Sequence, residues 1–213
     1  ATNLGFGKGM NAALAELGRC GYGGPVLLIN NDARVSFGMR TALESQLTND
    51  GVPTLVAPRI RQGGQEQGWL HYQPWLALVT QRSILGSFAY LSGCCLLVQR
   101  SNNALPLFDE DFFMYGEDVE LSWRMRRQGG RLVMLDRVWI EHEGSASCGQ
   151  ASEAYERFLV TSHWLLASKL ASKSISKRIM RGLRIPVLMA RACLRSLRYR
   201  SFVPFNAVVG LFK

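Results

Sequence analysis

The residues that could do chemistry fall in four short stretches. Asp32 ends Asn30-Asn31-Asp32, directly after the apolar run VLLI (26–29). A carboxylate there is placed to hold a divalent cation, which takes oxygen ligands. The same three residues also suit an Asx turn that closes a strand. FDEDFFMYGEDVELSWR (108–124) holds six carboxylates between Asp109 and Glu120, interleaved with Phe112, Phe113, Met114 and Tyr115. Glu117 and Asp118 open a helix, where carboxylates meet free N–H groups and the positive end of the dipole. Capping accounts for one or two acids, not six. A carboxylate base beside an apolar wall suits a metal-assisted transfer, in which a hydroxyl gives up its proton away from water. His142, in WIEHEG, is flanked by Glu141 and Glu143 at a strand end and is a metal-ligand candidate. His71 and His163 have no such surroundings and read as structural. NLGFGKGMN (3–11) is a glycine-rich lead into a helix, of the kind that brings backbone amides to a phosphate. Its spacing is not that of a Walker loop, nor of a dinucleotide fingerprint.

These positions need elements to hold them. Asn11 to Leu17 reads as a short helix ending at Gly18, and VLLI as a strand buried on both faces. Helical spacing returns over 36–49. TLVAP (54–58) is a second strand, and 59–87 reads as a long irregular excursion. AYLSGCCLLVQR (89–100) is a third strand, with a glycine where a backbone or ligand approaches closely. EDVELSWRMRRQGG is a helix with acids first, arginines last and Glu120–Arg124 paired at i, i+4. RLVMLD (131–136) and VWIEH (138–142) are two further strands. Beyond 151 the pattern is helical, with breaks expected at Gly182, Pro186 and Pro204. Strands alternating with helices predict an α/β fold.

Charge divides the chain. From Arg157 to Lys213 there are twelve Lys/Arg and no Asp or Glu, which leaves 25 − 12 = 13 basic and all 16 acidic residues in 1–156. The expected organisation is a mildly acidic body, 1–156, and a basic amphipathic helical region, 157–213. Arg184, Arg191, Arg195 and Arg198 fall at helical spacings, opposite Ile185, Leu188, Leu194 and Leu197, which suits the surface of an anionic membrane. No nucleic-acid motif accompanies the basic residues, so no nucleic-acid partner is expected. Five cysteines (Cys20, Cys94, Cys95, Cys148, Cys193) without a CxxC pair imply free thiols in a reducing compartment.

In order, NLGFGKGMN, LLINNDA, SGCCLLVQR, FDEDFFMYGEDVELSWRMRRQGGRLV and EHEG resemble the family 2 glycosyltransferases of the GT-A fold, especially their rhamnosyltransferase-like branch. The resemblance covers roughly residues 3–145. It implies a GT-A-like mixed sheet flanked by helices, and an inverting transferase that uses a nucleotide-diphosphate sugar and a divalent cation, Mg2+ or Mn2+. Asp32 would be the metal-binding acid of a DxD-type motif whose first position is Asn30 here. Asp118 would be the general base, with Glu117 beside it, and His142 would complete the metal shell. Asn3, Gly5, Asn11 and Asn30 join Asp32 as candidate donor-binding positions. The acceptor would be a glycan or a lipid-linked hydroxyl, and the location cytoplasmic, at the inner face of the plasma membrane. Family members carry a βαβ unit ahead of the NLGF-like segment. Without it the sheet keeps an open edge, residues 1–213 alone are expected to bind nucleotide sugar poorly, and a preceding segment or an oligomer would complete the site. The rival expectation is a catalytically inactive fragment that acts as a membrane-associated interaction module.

Overall fold

The computed structural model describes residues 2–99, 106–142, 152–171 and 174–212. Glu143 and Cys148 lie outside the described residues. In chain order, α1 (Phe6–Arg19), β1 (Val26–Ile29), β2 (Ala33–Val35) and α2 (Met39–Glu44) come first. There follow β3 (Thr54–Gln62), β4 (Gln65–Gln67), β5 (Leu70–Gln73), β6 (Leu78–Thr80), β7 (Phe88–Tyr90) and β8 (Cys95–Gln99). Then come α3 (Glu117–Arg127), β9 (Arg131–His142), α4 (Glu153–Lys169), α5 (Ser174–Tyr199) and α6 (Val203–Gly210).

A six-stranded mixed sheet runs in the order β1-β8-β3-β9-β2, with β4 added to the end of β3. β3 and β9 are parallel, Val56 opposite Val133, and the remaining pairs are antiparallel. Both faces of the central strands are apolar, so their side chains sort by alternation. Leu55, Ala57, Leu96 and Val98 point to one face, under Leu14 of α1 and Leu121 and Met125 of α3. Val56, Cys95 and Leu97 point to the other, against Met39 and Leu43 of α2. The α/β class expected from the sequence is what this sheet shows.

Several elements differ from expectation. α1 begins at Phe6 rather than Asn11, because Phe6, Met10 and Leu14 share one face at i, i+4, i+8 and pack on the same core. Among the described residues β1 pairs only with β8, at the edge of the sheet, and Leu27 is 37% exposed. The stretch 59–87 is ordered: β3 continues through it to Gln62, and β5, β6 and β7 form a second, three-stranded antiparallel sheet. That sheet seats Tyr72 and Tyr90 against Phe112, Val119 and Leu166, joining α3 and α4. The run 89–100 is broken into β7 and β8 by the turn at Ser92-Gly93, whereas 131–142 is one long strand. α4 straddles the expected boundary at 156.

Gly182 and Pro186 do not break α5, and Pro204 sits in the first turn of α6, where its missing N–H is harmless. α5 is held along its length by α4 and α6, with Leu188 and Ala192 packed on Val160, Ala207 and Val208. Tertiary contact of this kind overrides a local breaker. The inward face is also unexpected: Arg184 is 1% exposed and donates to the Pro74 carbonyl, and Arg195 pairs with buried Glu156. Two of the arginines expected to face a membrane therefore point into the body.

Candidate active site

Asp32 and His142 are brought together by strand register. β2 pairs antiparallel with the end of β9 so that Ala33 lies opposite His142. The residues before β2 form a tight turn, closed by the Ala33 N–H donating to the Asn30 carbonyl (3.2 Å), and Asn30 N–H is tied to the Cys94 carbonyl (2.9 Å). The turn aims Asp32 at the imidazole, and His142 Nε2–H donates to Asp32 Oδ1 at 3.1 Å. So the turn expected at 30–32 is present, and it positions the carboxylate.

The acidic stretch divides by partner. Lys169 of α4 pairs with both Asp109 (2.7 Å) and Asp111 (2.5 Å). Glu110 accepts from Asn11 Nδ2 (3.0 Å), and Asn11 also donates to the Phe108 carbonyl and accepts the Phe108 N–H. Glu120 pairs with Arg124, whose guanidinium reaches the Leu107 carbonyl (2.6 Å). Four of the six acids thus shape and anchor the loop. Of the cluster, Glu117 and Asp118 are the two that line the cavity shared with Asp32 and His142.

That cavity has a volume of about 480 Å³. Asn30, Asn31 and Asp32 wall one side, Ser92, Gly93 and Cys94 another, and Met114, Tyr115, Glu117 and Asp118 a third. His142 and Gln62 complete the rim, and Phe6 and Met10 of α1 supply apolar surface. Sequence reasoning did not point to Gln62, Ser92, Phe6 or Met10. The i, i+4 spacing of Phe6 and Met10 was the available signal for the last two. The glycine flagged in the third strand is Gly93, whose N–H donates to Asp118 Oδ2 (3.1 Å). Asp118 Oδ1 accepts a second backbone bond, from Val119 N–H (2.8 Å).

Tyr115 (φ 67) and Gly116 (φ 86) are both left-handed. Together they swing the chain into α3. A Cβ on Gly116 would overlap the Ser162 hydroxyl, so α4 and the start of α3 approach more closely there than a side chain allows. Non-glycine residues hold such a conformation only when their surroundings enforce it. For Tyr115 the ring of Tyr155 provides an edge contact at 5.4 Å. Phe112 is core, and Phe113 stacks on Phe158 at 4.9 Å; neither lines the cavity.

Burial raises the pKa of both cavity acids. Glu117, 7% exposed, is pushed up to about 8 by burial and by the neighbouring Asp118 charge, and its Oε2 has no hydrogen-bond partner. Asp118 is raised by burial and pulled back by the N–H groups of Gly93 and Val119. A buried carboxyl and a half-buried one side by side cannot easily ionise together. Two backbone N–H donors favour the charged form of Asp118, whereas Glu117 Oε2 has no such partner. Cys94 is no nucleophile, since burial, with a smaller effect from Asp32, lifts its thiol to about 12.

Asp32 and His142 together could offer a cation one oxygen and one nitrogen donor. Among the described residues no group of three or more His, Cys, Asp or Glu side chains is poised for a metal. Magnesium and manganese sites in phosphate chemistry commonly take one or two protein ligands, with substrate phosphates and water supplying the others. The pair fits that type, provided Nε2 exchanges its proton for the ion. Asn3, Gly5 and Asn11 do not line the cavity. Gly5, in a left-handed conformation, lies against the Phe113 carbonyl, and Phe6 N–H donates to that carbonyl (2.9 Å). Asn3 Oδ1 accepts the Gly5 N–H (2.9 Å). Within 3–11, Asn3, Gly5 and Asn11 brace the acidic loop, while Phe6 and Met10 face the cavity.

The chain is similar to a rhamnosyltransferase. It is 28% identical over 179 residues to the N-acetylglucosaminyl-diphospho-decaprenol L-rhamnosyltransferase of Mycobacterium tuberculosis, in each of two strains. The match covers 70% of this chain and 58% of the relative, so the chain spans little more than half the length of the curated proteins it matches. No family model matches the sequence. The similarity supports a glycosyltransferase relationship, and the mixed α/β fold is compatible with one.

Proposed function

We propose that this chain carries the catalytic centre of an inverting glycosyltransferase. The sugar, rhamnose by analogy with the similar proteins, moves from a nucleotide-diphosphate donor to a hydroxyl of a glycan or lipid-linked acceptor. The observation that carries the proposal is Asp118: a carboxylate lining a cavity shared with Asp32 and His142, fixed by two backbone N–H donors.

Asp118 takes the proton of the acceptor hydroxyl as that oxygen attacks the sugar carbon from the face opposite the leaving diphosphate. One base suffices, and no covalent sugar–enzyme bond is needed. The raised pKa of Asp118 makes it a stronger base than an exposed aspartate. Glu117, holding its own proton, leaves the local charge at one rather than two, so an incoming hydroxyl meets a single localised base. Phe6 and Met10 exclude water from one wall, and Tyr115 offers a ring to the sugar or acceptor. A divalent cation, held by Asp32 and His142, would stabilise the negative charge on the departing diphosphate.

The test is Asp118→Asn. Removing the base should lower kcat for sugar transfer by about a hundred- to ten-thousand-fold. Circular dichroism and Tm should stay close to the parent, because the amide oxygen retains one of the two backbone bonds. Turnover at the parental rate would refute the assignment.

A further inference from the structure

α5 presents an apolar stripe outward as well as inward. Arg184, Leu188, Ala192 and Arg195 face α4, α6 and the Pro74 carbonyl. On the opposite side, Ile179, Leu183, Pro186, Ala190, Leu194 and Leu197 are all exposed. They fall at i, i+4, i+7, i+11, i+15 and i+18, a continuous stripe down one side of a helix. Leu194 is 68% and Leu197 76% exposed. Just beyond, Phe202 is 79% exposed, between α5 and α6. The stripe cannot roll inward, since that would pull Arg195 from Glu156 and Arg184 from Pro74. A surface of this kind is unusual for a protein that meets only water.

Charge selects what covers it. Lys177, Arg178, Arg198 and Arg200 are exposed along the same helix and just past its end. From Arg157 to Lys213 there is no Asp or Glu. A second copy of the chain laid on the stripe would bring these cations against their own counterparts with no acid from this region to neutralise them. An anionic lipid surface supplies both the negative charge and the apolar depth. Among the described residues no helix is long and apolar enough to cross a membrane, so α5 would lie in the interface plane rather than span it.

We propose that the outward face of α5, continued by Phe202, docks on an anionic lipid bilayer. The proposal rests on this surface alone and is independent of the sugar chemistry. Its energetic source is the exposed leucines, with the arginines adding a salt-sensitive attraction. The inward arginines hold the helix in place and do not touch lipid.

Flotation of the chain with phosphatidylglycerol-rich vesicles tests it, with phosphatidylcholine vesicles as reference. The chain should float with the anionic vesicles, less so at high salt, and much less with neutral ones. Leu183→Glu combined with Leu194→Glu and Leu197→Glu should lower the bound fraction by about tenfold or more. These side chains are exposed, so Tm should hold. A second readout needs no folded triple variant: a polarity-sensitive fluorophore on Cys193, exposed near the stripe, in a chain with Cys20→Ser and Cys148→Ser. Its emission should shift to the blue on anionic vesicles. Unchanged flotation of the triple variant, or no emission shift, overturns the proposal. So does a dimer in sedimentation velocity that the same substitutions dissociate while vesicles bind neither form, since that makes a second copy the occupant.

Discussion

Glu117 gives the most direct test of how the cavity is built. Its ordinary pKa of 4.5 rises to about 8 in the fold, through burial first and the Asp118 charge second. Over the window between those values the folded chain holds a proton that the unfolded chain has released. Stability from this group is therefore complete below about pH 4.5 and disappears as pH rises through about 8. Between about pH 6.5 and pH 9 the linkage amounts to roughly 2 kcal/mol. For a chain of this length that is a fall in Tm of about 4–8 °C. His163 does not mask it. Burial and nearby arginines hold that imidazole well below its ordinary value of 6.5, so its contribution changes at lower pH and in the opposite direction. Glu117→Gln keeps the shape and removes the titration. Calorimetric scans of parent and variant at matched ionic strength should show the parental Tm falling over this range and that of the variant nearly level. Parallel curves would mean that Glu117 ionises freely in the fold, and the division of roles between it and Asp118 would fall with it.

Two further perturbations probe the same site. Gly116→Ala combines a left-handed backbone position with an overlap on Ser162, and should destabilise the chain by about 2–4 kcal/mol in urea unfolding; a loss under about 0.5 kcal/mol would show that α3 and α4 separate easily. Asp32→Ala removes one of the two proposed cation donors, so Mn2+ affinity, read from the free-ion paramagnetic resonance signal, should weaken by about ten- to a hundredfold, whereas equal affinity would place the ion elsewhere.

Much of the architecture was legible along the chain because its causes are local. The short apolar runs in TLVAP and CLLV declare strands, and the acids-first, arginines-last order of 117–127 declares α3 and its Glu120–Arg124 pair. The glycine in SGCC marked the backbone approach that Gly93 makes to Asp118. Local signals misled where distant packing decided the outcome. Residues 59–87 have no clear period, yet they form strands because Tyr72 and Tyr90 find a core on α3 and α4. Asn11 suited a phosphate loop by its glycine-rich surroundings, but its amide is fully engaged by Phe108 and Glu110, ninety-seven and ninety-nine residues away.

The sequence alone determined which residues had the chemistry: a carboxylate after a strand, paired acids opening a helix, an imidazole at a strand end. Tertiary structure alone decided which of them meet. The contact between Asp32 and His142 spans 110 residues and exists only because β2 pairs with the end of β9 in one register. Lys169 and Asn11 determine which acids serve the loop and leave Glu117 and Asp118 to the cavity. In α5 the period of 3.6 predicted two faces, but a helix in isolation has no inside. Glu156 and the Pro74 carbonyl draw Arg195 and Arg184 inward beside Leu188, and Leu183, Leu194 and Leu197 are left facing out.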